Sequence, residues 1–223
     1  MTGFQWDWAF AASIVPQLLL GLRITILATI AGFAGALVLG LVWTLLRLAS
    51  VPVLSPLVQL FVEFVRGTPF LVQLFFLFYV LPTWGLTFTA LITGVIGLAL
   101  FNSAPISEIY RAGIEDVAGG QWEASLTLGL PLRRVWLGII LPQAVKTVLP
   151  MLGSVGIGMF KETAVLSTIT VMELLAQAVD IGSMYFRYIE PLTMVGCFYF
   201  LVSYSLARLV RRFETGRGVR AIQ

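Results

Sequence analysis

The 223-residue sequence has no histidine and a single cysteine, Cys197, and only 11% of its residues are charged. Each scarcity removes a class of chemistry. Without histidine there is no imidazole metal ligand and no histidine acid–base catalysis. With one cysteine no intrachain disulfide forms. A GxxxxGK[ST] loop to cradle nucleotide phosphates is also missing, and no nucleophile–base pattern supports an intramembrane enzyme. The opening MTGFQWDWAFAAS carries no Lys or Arg, which a secretory signal needs at its start, so the N-terminus is expected to be retained. The second half does not repeat the first, so the inverted repeats of many secondary transporters are not supported.

What is abundant is apolar surface. Hydrophobic residues make up 59% of the chain, mean hydropathy is +0.96, and several uncharged runs are long enough to cross about 30 Å of hydrocarbon. The expected fold is therefore one all-α integral membrane domain over 1–223. Between Arg23 and Arg47 lie 23 uncharged residues, and 41 more run from Gly67 to Ser107, broken by LPTWG at 81–85. Five spans are placed at about 16–47, 57–81, 87–112, 135–160 and 188–210, with the second and third joined by a tight turn. Glu63 and Arg66 are three apart and are expected to neutralise each other. Lys146 costs about 2.5–3.5 kcal/mol at a bilayer centre, so it is expected near an end or facing protein.

The basic residues orient the chain. The N-terminal segment and the 81–90 turn have none, whereas 108–134 holds Arg111, Arg133 and Arg134, and the tail holds Arg208, Arg211, Arg212, Arg217 and Arg220. This places the N-terminus outside and the C-terminus in the cytoplasm, which demands an odd number of spans. Segment 163–186 is accordingly expected to be re-entrant or to lie at the outer surface. A pI near 9.3 thus reflects orientation signals, and no nucleic acid is implied.

One cytoplasmic stretch, about 114–142, has a pattern of its own. From Gly120 to Leu128 it reads as a short helix with Trp122 and Leu126 on one face and Glu123 beside them. Gly129 fits the left-handed position that ends a helix, and Pro131 suits the start of the next. The result is a helix–Gly–helix elbow. A solvated amphipathic loop fits the same pattern.

Glu123, Ala124, Ser125, Gly129, Ile139, Leu141 and Pro142 stand at the spacings of the EAA loop of ATP-binding-cassette (ABC) importer permeases, with Ser125 where that loop has Ala. The chain is identified by resemblance as a permease of the polar amino acid uptake family, through FVEFVRGTPFLVQLFFLFYVLP, SEIYRAGIEDVAGGQWEA, LPQAVKTVLP and MFKETAVLSTITVMEL. The last segment and GSMYFRYIEPLTMVG look most similar to permeases of ectoine/hydroxyectoine importers. Ala104-Pro105 departs from the Ala-Tyr of many relatives and is expected to kink span three.

The resemblance implies a bacterial cytoplasmic (inner) membrane location and a complex with ABC ATPase subunits, a second permease subunit and an extracytoplasmic solute-binding protein. Ectoine-type systems tend to pair two different permeases, so a heterodimer is favoured over a homodimer. ATP-Mg would bind at the ATPase subunit; no cofactor or metal is expected on this chain. The implied role is passage of ectoine or a similar compatible solute. Uptake of a polar amino acid such as glutamine, arginine or glutamate is the alternative. A channel or structural scaffold also accounts for the spans, but leaves the elbow's spacing a coincidence.

Carried over, Glu123 is expected to make charged or capping contacts at the ATPase groove, Trp122 and Leu126 are apolar anchors, Ala124 and Ser125 permit close approach, Gly129 sets the bend, and Leu141-Pro142 opens span four. Ectoine is a zwitterion, so its path needs anionic and cationic partners and an aromatic face. Lys161, Glu162 and Thr163 close span four, Asn102 and Ser103 lie in span three, and Gln73, Phe76 and Tyr79 are spaced by threes on span two. An interfacial ion pair explains Lys161–Glu162 equally, and interhelical hydrogen bonding explains Asn102 and Gln73. Glu108 and Arg111 read as a structural ion pair.

Overall fold

The computed structural model describes residues 5–49 and 51–215, with side chains through Arg212. Arg217 and Arg220, and the first residues of MTGFQWDWAFAAS, lie outside the described residues. Every regular element among the described residues is helical. Among the described residues four helices are long and apolar enough to cross a membrane: Trp8–Leu48, Ala90–Glu115, Leu132–Ile169 and Ile189–Arg212. The bent pair Leu54–Gly67 and Phe70–Trp84 makes a fifth if it counts as one span.

Helix α1, Trp8–Leu48, has 41 residues and starts well before residue 16, where the sequence reading began the first span. Asp7 sets the start, its Oδ1 accepting the Phe10 N–H at 2.9 Å. At 1.5 Å per residue the helix is roughly 61 Å long, twice the hydrocarbon thickness, so it tilts or extends beyond the bilayer. Between Arg23 and Arg47 its sequence carries no charge on any side, and size rather than hydrophobicity marks the packed face. Thr25, Ala28, Gly32, Ala36, Gly40 and Thr44 recur every three or four residues and are buried, which lets another backbone approach closely.

That backbone is α4, Ala90–Glu115, whose first turn is capped by Thr89. A Cβ on Gly40 would lie 2.6 Å from Ile106 Cγ2, so only glycine permits this spacing. Trp43 Nε1 donates to Ser103 Oγ at 3.0 Å, and the Thr44 and Ser107 hydroxyls lie 3.1 Å apart. Helix α4 runs unbroken through Pro105. Near its end, Arg47 Nη1 and Arg111 Nη2 both bind Glu108, at 2.6 and 2.9 Å, and Arg111 also binds Glu115. The expected Glu108–Arg111 pair is therefore part of a wider network of charges that also takes in Arg47, Arg66 and Glu115.

The second span is not straight. Helix α2, Leu54–Gly67, meets the Phe70–Trp84 segment, which opens with α3, Phe70–Phe75, at 107°. Pro69 biases Thr68 to extended backbone, and Gln73 fixes the corner by donating to Val65 O at 2.8 Å and Thr68 Oγ1 at 2.7 Å. Glu63 and Arg66 do not pair as expected. The Glu63 carboxylate accepts from Gln59, while Arg66 reaches toward Glu108 at 4.0 Å. Four positions apart, Gln59 and Glu63 stack on the helix surface and meet first.

After α3 the chain makes a π turn over Phe76–Val80 and a 3-10 turn over Leu81–Trp84. A second π turn, Trp136–Ile140, joins α6, Leu132–Val135, to α7, Leu141–Glu162. Each π turn stops two residues before a Leu-Pro proline, Pro82 or Pro142. Proline has no N–H and its ring crowds the carbonyl four residues back, so the preceding turn widens.

The chain then forms a 3-10 helix over Thr163–Ile169, turns at Thr170 (φ 69°) and enters α8, Leu174–Tyr185. Twelve residues rise only about 18 Å, short of the hydrocarbon thickness. The last helix, α9, spans Ile189–Thr215. One core unites α1, α4 and α7 through Ala36, Leu98, Ile106, Met159 and Leu166. A second joins α1, α8 and α9 through Leu18, Leu174, Ile181 and Val195. At this end Arg187 bridges Asp7 at 3.2 Å and Glu190. The Phe10 N–H and the Arg187 guanidinium hold the Asp7 carboxyl below its usual range.

Candidate coupling elbow and polar pathway

Helix α5, Gly119–Thr127, is a nine-residue helix standing between α4 and the α6–α7 rod. It closes on Gly129 at φ 64°. Leu130 N donates to Ser125 O at 3.2 Å and Gly129 N to Leu126 O at 2.9 Å, the two bonds of a Schellman end. Pro131 then caps α6 rather than lying inside it. The sequence's elbow is therefore present, with the bend at Gly129.

Its faces are divided differently from the expectation. Trp122 turns inward and meets Trp136 edge-on at 5.1 Å, beside Val117, Val135 and Ile140. Ser125 is buried, its hydroxyl bonded to Gln121 O at 2.6 Å. Half-buried Trp122 thus supports the elbow from within this chain. The outward face holds Glu123, Ala124, Leu126 and Leu128, the two leucines 62% and 74% exposed. Trp122 and Leu126 part company because the short helix meets the bundle on one narrow edge, which Trp122 and Ser125 fill. Leu141 and Pro142 are exposed where the π turn passes into α7. Lys146, one turn further, is also exposed.

The proposed pathway residues fall into two groups. Asn102 is buried and donates to Leu98 O at 3.1 Å and to Glu162 Oε2 at 2.9 Å, which joins α4 to the end of α7. Lys161 is exposed beside it, and no ion pair links it to Glu162 among those the described residues form. Tyr79 is 57% exposed in a cluster with Phe75 and Phe78, near Phe76, which packs on Trp84. The Gln73 Nε2 and the Ser103 and Thr163 hydroxyls bond internally: at the α2–α3 corner, with Trp43 and Leu100 O, and on Phe160 O.

Glu173 carries no role in the sequence reading, yet it is fully buried. Its carboxylate caps α8 by accepting the Leu175 and Ala176 N–H groups at 3.0 and 2.7 Å, and accepts the Tyr199 hydroxyl at 2.9 Å and Thr25 at 3.4 Å. The available signal was its isolation: no other charge stands between Glu162 and Asp180, and an ionisable residue in so apolar a run rarely lacks a purpose. Among the described residues no cluster of His, Cys, Asp or Glu is arranged to hold a metal.

Residues 36–218 match the family described as the binding-protein-dependent transport system inner membrane component. Over 99% of its length the chain is 44% identical to 97% of a probable amino-acid ABC transporter permease protein of Sinorhizobium fredii. It is 32% identical over 94% of its length to 97% of the glutamine transport system permease protein of Escherichia coli. A solved structure, described as a crystal structure of an amino acid ABC transporter with histidines, superposes with a TM-score of 0.90 at 33% identity, covering 95% of this chain and 99% of that one. The methionine ABC transporter MetNI shares the fold alone, with a TM-score of 0.74 at 18% identity over 90% of this chain and 98% of its own. Such relatives are membrane subunits rather than enzymes, with ATP hydrolysis on a separate subunit. The chain belongs to the family of inner membrane components of binding-protein-dependent ABC transport systems.

Proposed function

We propose that this chain is the permease subunit of an ABC importer for a polar amino acid, and that the elbow receives the motion of the ATPase subunit. The observation that carries the coupling role is the outward face of α5: Glu123, Leu126 and Leu128 stand exposed on a helix closed at Gly129, braced from behind by Trp122 and Trp136. A charge beside two apolar side chains on a rigid support is what a partner groove engages. In this reading the N-terminus is outside, the elbow and C-terminus are cytoplasmic, and a solute-binding protein delivers cargo at the outer face.

The relatives above are named for amino acids, which favours that class over ectoine. The expected heterodimer rested on the ectoine likeness and loses that support; a second permease subunit is retained. Along the pathway, Asn102, Glu162, Lys161 and Tyr79 are the residues offered to a zwitterion: a carboxylate for the ammonium group, an ammonium for the carboxylate. The internal bonds of Gln73, Ser103 and Thr163 favour structural roles for them.

Gly129→Asp tests the elbow. A Cβ at Gly129 meets nothing of this chain within 4 Å, so the change leaves insertion intact. It disfavours φ 64° and puts a charge on the docking face. The expected result is loss of ATPase co-purification and of labelled glutamine uptake in vesicles. Unchanged uptake overturns the coupling assignment, and wild-type uptake of ectoine in preference to amino acids overturns the solute class.

A further inference from the structure

The exposed strip of the elbow does not end with α5. From Glu123 to Arg134 every residue is exposed except Ser125 and Leu130. Leu132, 64% exposed, continues the row begun by Leu126 and Leu128. Arg133 and Arg134 come next, and neither forms an ion pair among those the described residues make. Both line an open depression of about 500 Å³ with Pro131, Leu137 and Gly138. Gly138 keeps it open, since a Cβ there would meet only Arg134 Cγ within 4 Å, at 3.9 Å.

The order of charges along the strip separates its candidate occupants. A headgroup surface is anionic, which suits Arg133 and Arg134 but repels Glu123. Hydrocarbon accepts the leucines and excludes all three charges. A protein groove carries charges of both signs and can complement the whole strip. Two neighbouring guanidiniums beside an empty glycine position offer paired donors and room for a carboxylate.

Resting on the reading that α5 receives the ATPase subunit, we infer that the same docking surface continues over Arg133 and Arg134, and that the ATPase subunit seats an Asp or Glu side chain in the depression at Gly138. The partner then grips the elbow on both sides of the Gly129 bend. Its motion enters the α6–α7 rod directly as well as through α5.

The test uses the complete transporter in nanodiscs containing phosphatidylglycerol, with retention of the ATPase subunit measured on dilution over a range of salt. Wild-type retention is expected to fall as salt rises. With two exposed pairs involved, Arg133→Glu with Arg134→Glu should weaken ATPase binding about tenfold at low salt and flatten its salt dependence. Arg133→Lys with Arg134→Lys keeps the charge, so it should retain binding and let a carbodiimide join this segment to carboxylates of the ATPase subunit. If the reversed-charge variant binds as the wild type does at every salt concentration while Gly129→Asp abolishes binding, this inference is overturned and the coupling role of α5 stands. Binding untouched by Gly129→Asp removes that role as well. A photocrosslinker at Leu137, 57% exposed, is expected to capture the ATPase subunit; capture of lipid overturns the inference even where the charge variants fail to assemble.

Discussion

Glu173 holds three elements at one point: the hydroxyl of Thr25 on α1, the first N–H groups of α8 and the hydroxyl of Tyr199 on α9. It has no cation among its contacts, so hydrogen bonds alone compensate its burial. Glu173→Ala should orphan these donors and lower the thermal midpoint in detergent, with a loss of about 1–3 kcal/mol for each donor left buried and unpaired. Glu173→Gln keeps one carbonyl oxygen and should lose less. Equal midpoints for the two variants would remove the capping role. The sequence shows a lone acid in an apolar run; it does not show Thr25 and Tyr199, which are 148 and 26 residues away. Asn102 and Glu162 are a different case. Both stood out as polar residues in apolar helices, and only the fold reveals that they bond each other.

Among the elements, the α1–α4 contact depends on spacing rather than on hydrophobicity. Gly40→Ala should place a methyl 2.6 Å from Ile106 Cγ2, force the helices apart and cost about 1–3 kcal/mol by overpacking. Ile106→Ala in the same chain should recover part of that loss. Additive losses in the double variant would show that the two residues do not meet. The helices themselves were legible, because long uncharged runs have few alternatives in lipid. The 107° corner was legible only as GTP at 67–69, and the two π turns only as Leu-Pro. The elbow shows the same limit. Its Gly129 bend follows from local backbone chemistry, but which of Trp122 and Leu126 faces inward depends on Trp136, fourteen residues later.

For the whole molecule, the distribution of arginine predicts that a reporter fused at the C-terminus is reached only from the cytoplasm and one at the N-terminus only from outside. A C-terminal reporter labelled from outside intact cells would invert the assembly and place the elbow away from any ATPase. Composition alone determined that this chain is helical and lives in a membrane, because hydrocarbon leaves backbone groups no partners but their own helix. Motif spacing determined the elbow, since a left-handed bend needs glycine whatever surrounds it. Tertiary structure decided which residues face each other: the Glu173 junction, the Asn102–Glu162 bond and the Trp122–Trp136 contact. In a sequence apolar on every side, hydrophobicity cannot distinguish a face that packs on a helix from one that meets lipid. That choice rests on side-chain size and fit between distant segments, which exist only once the chain has folded.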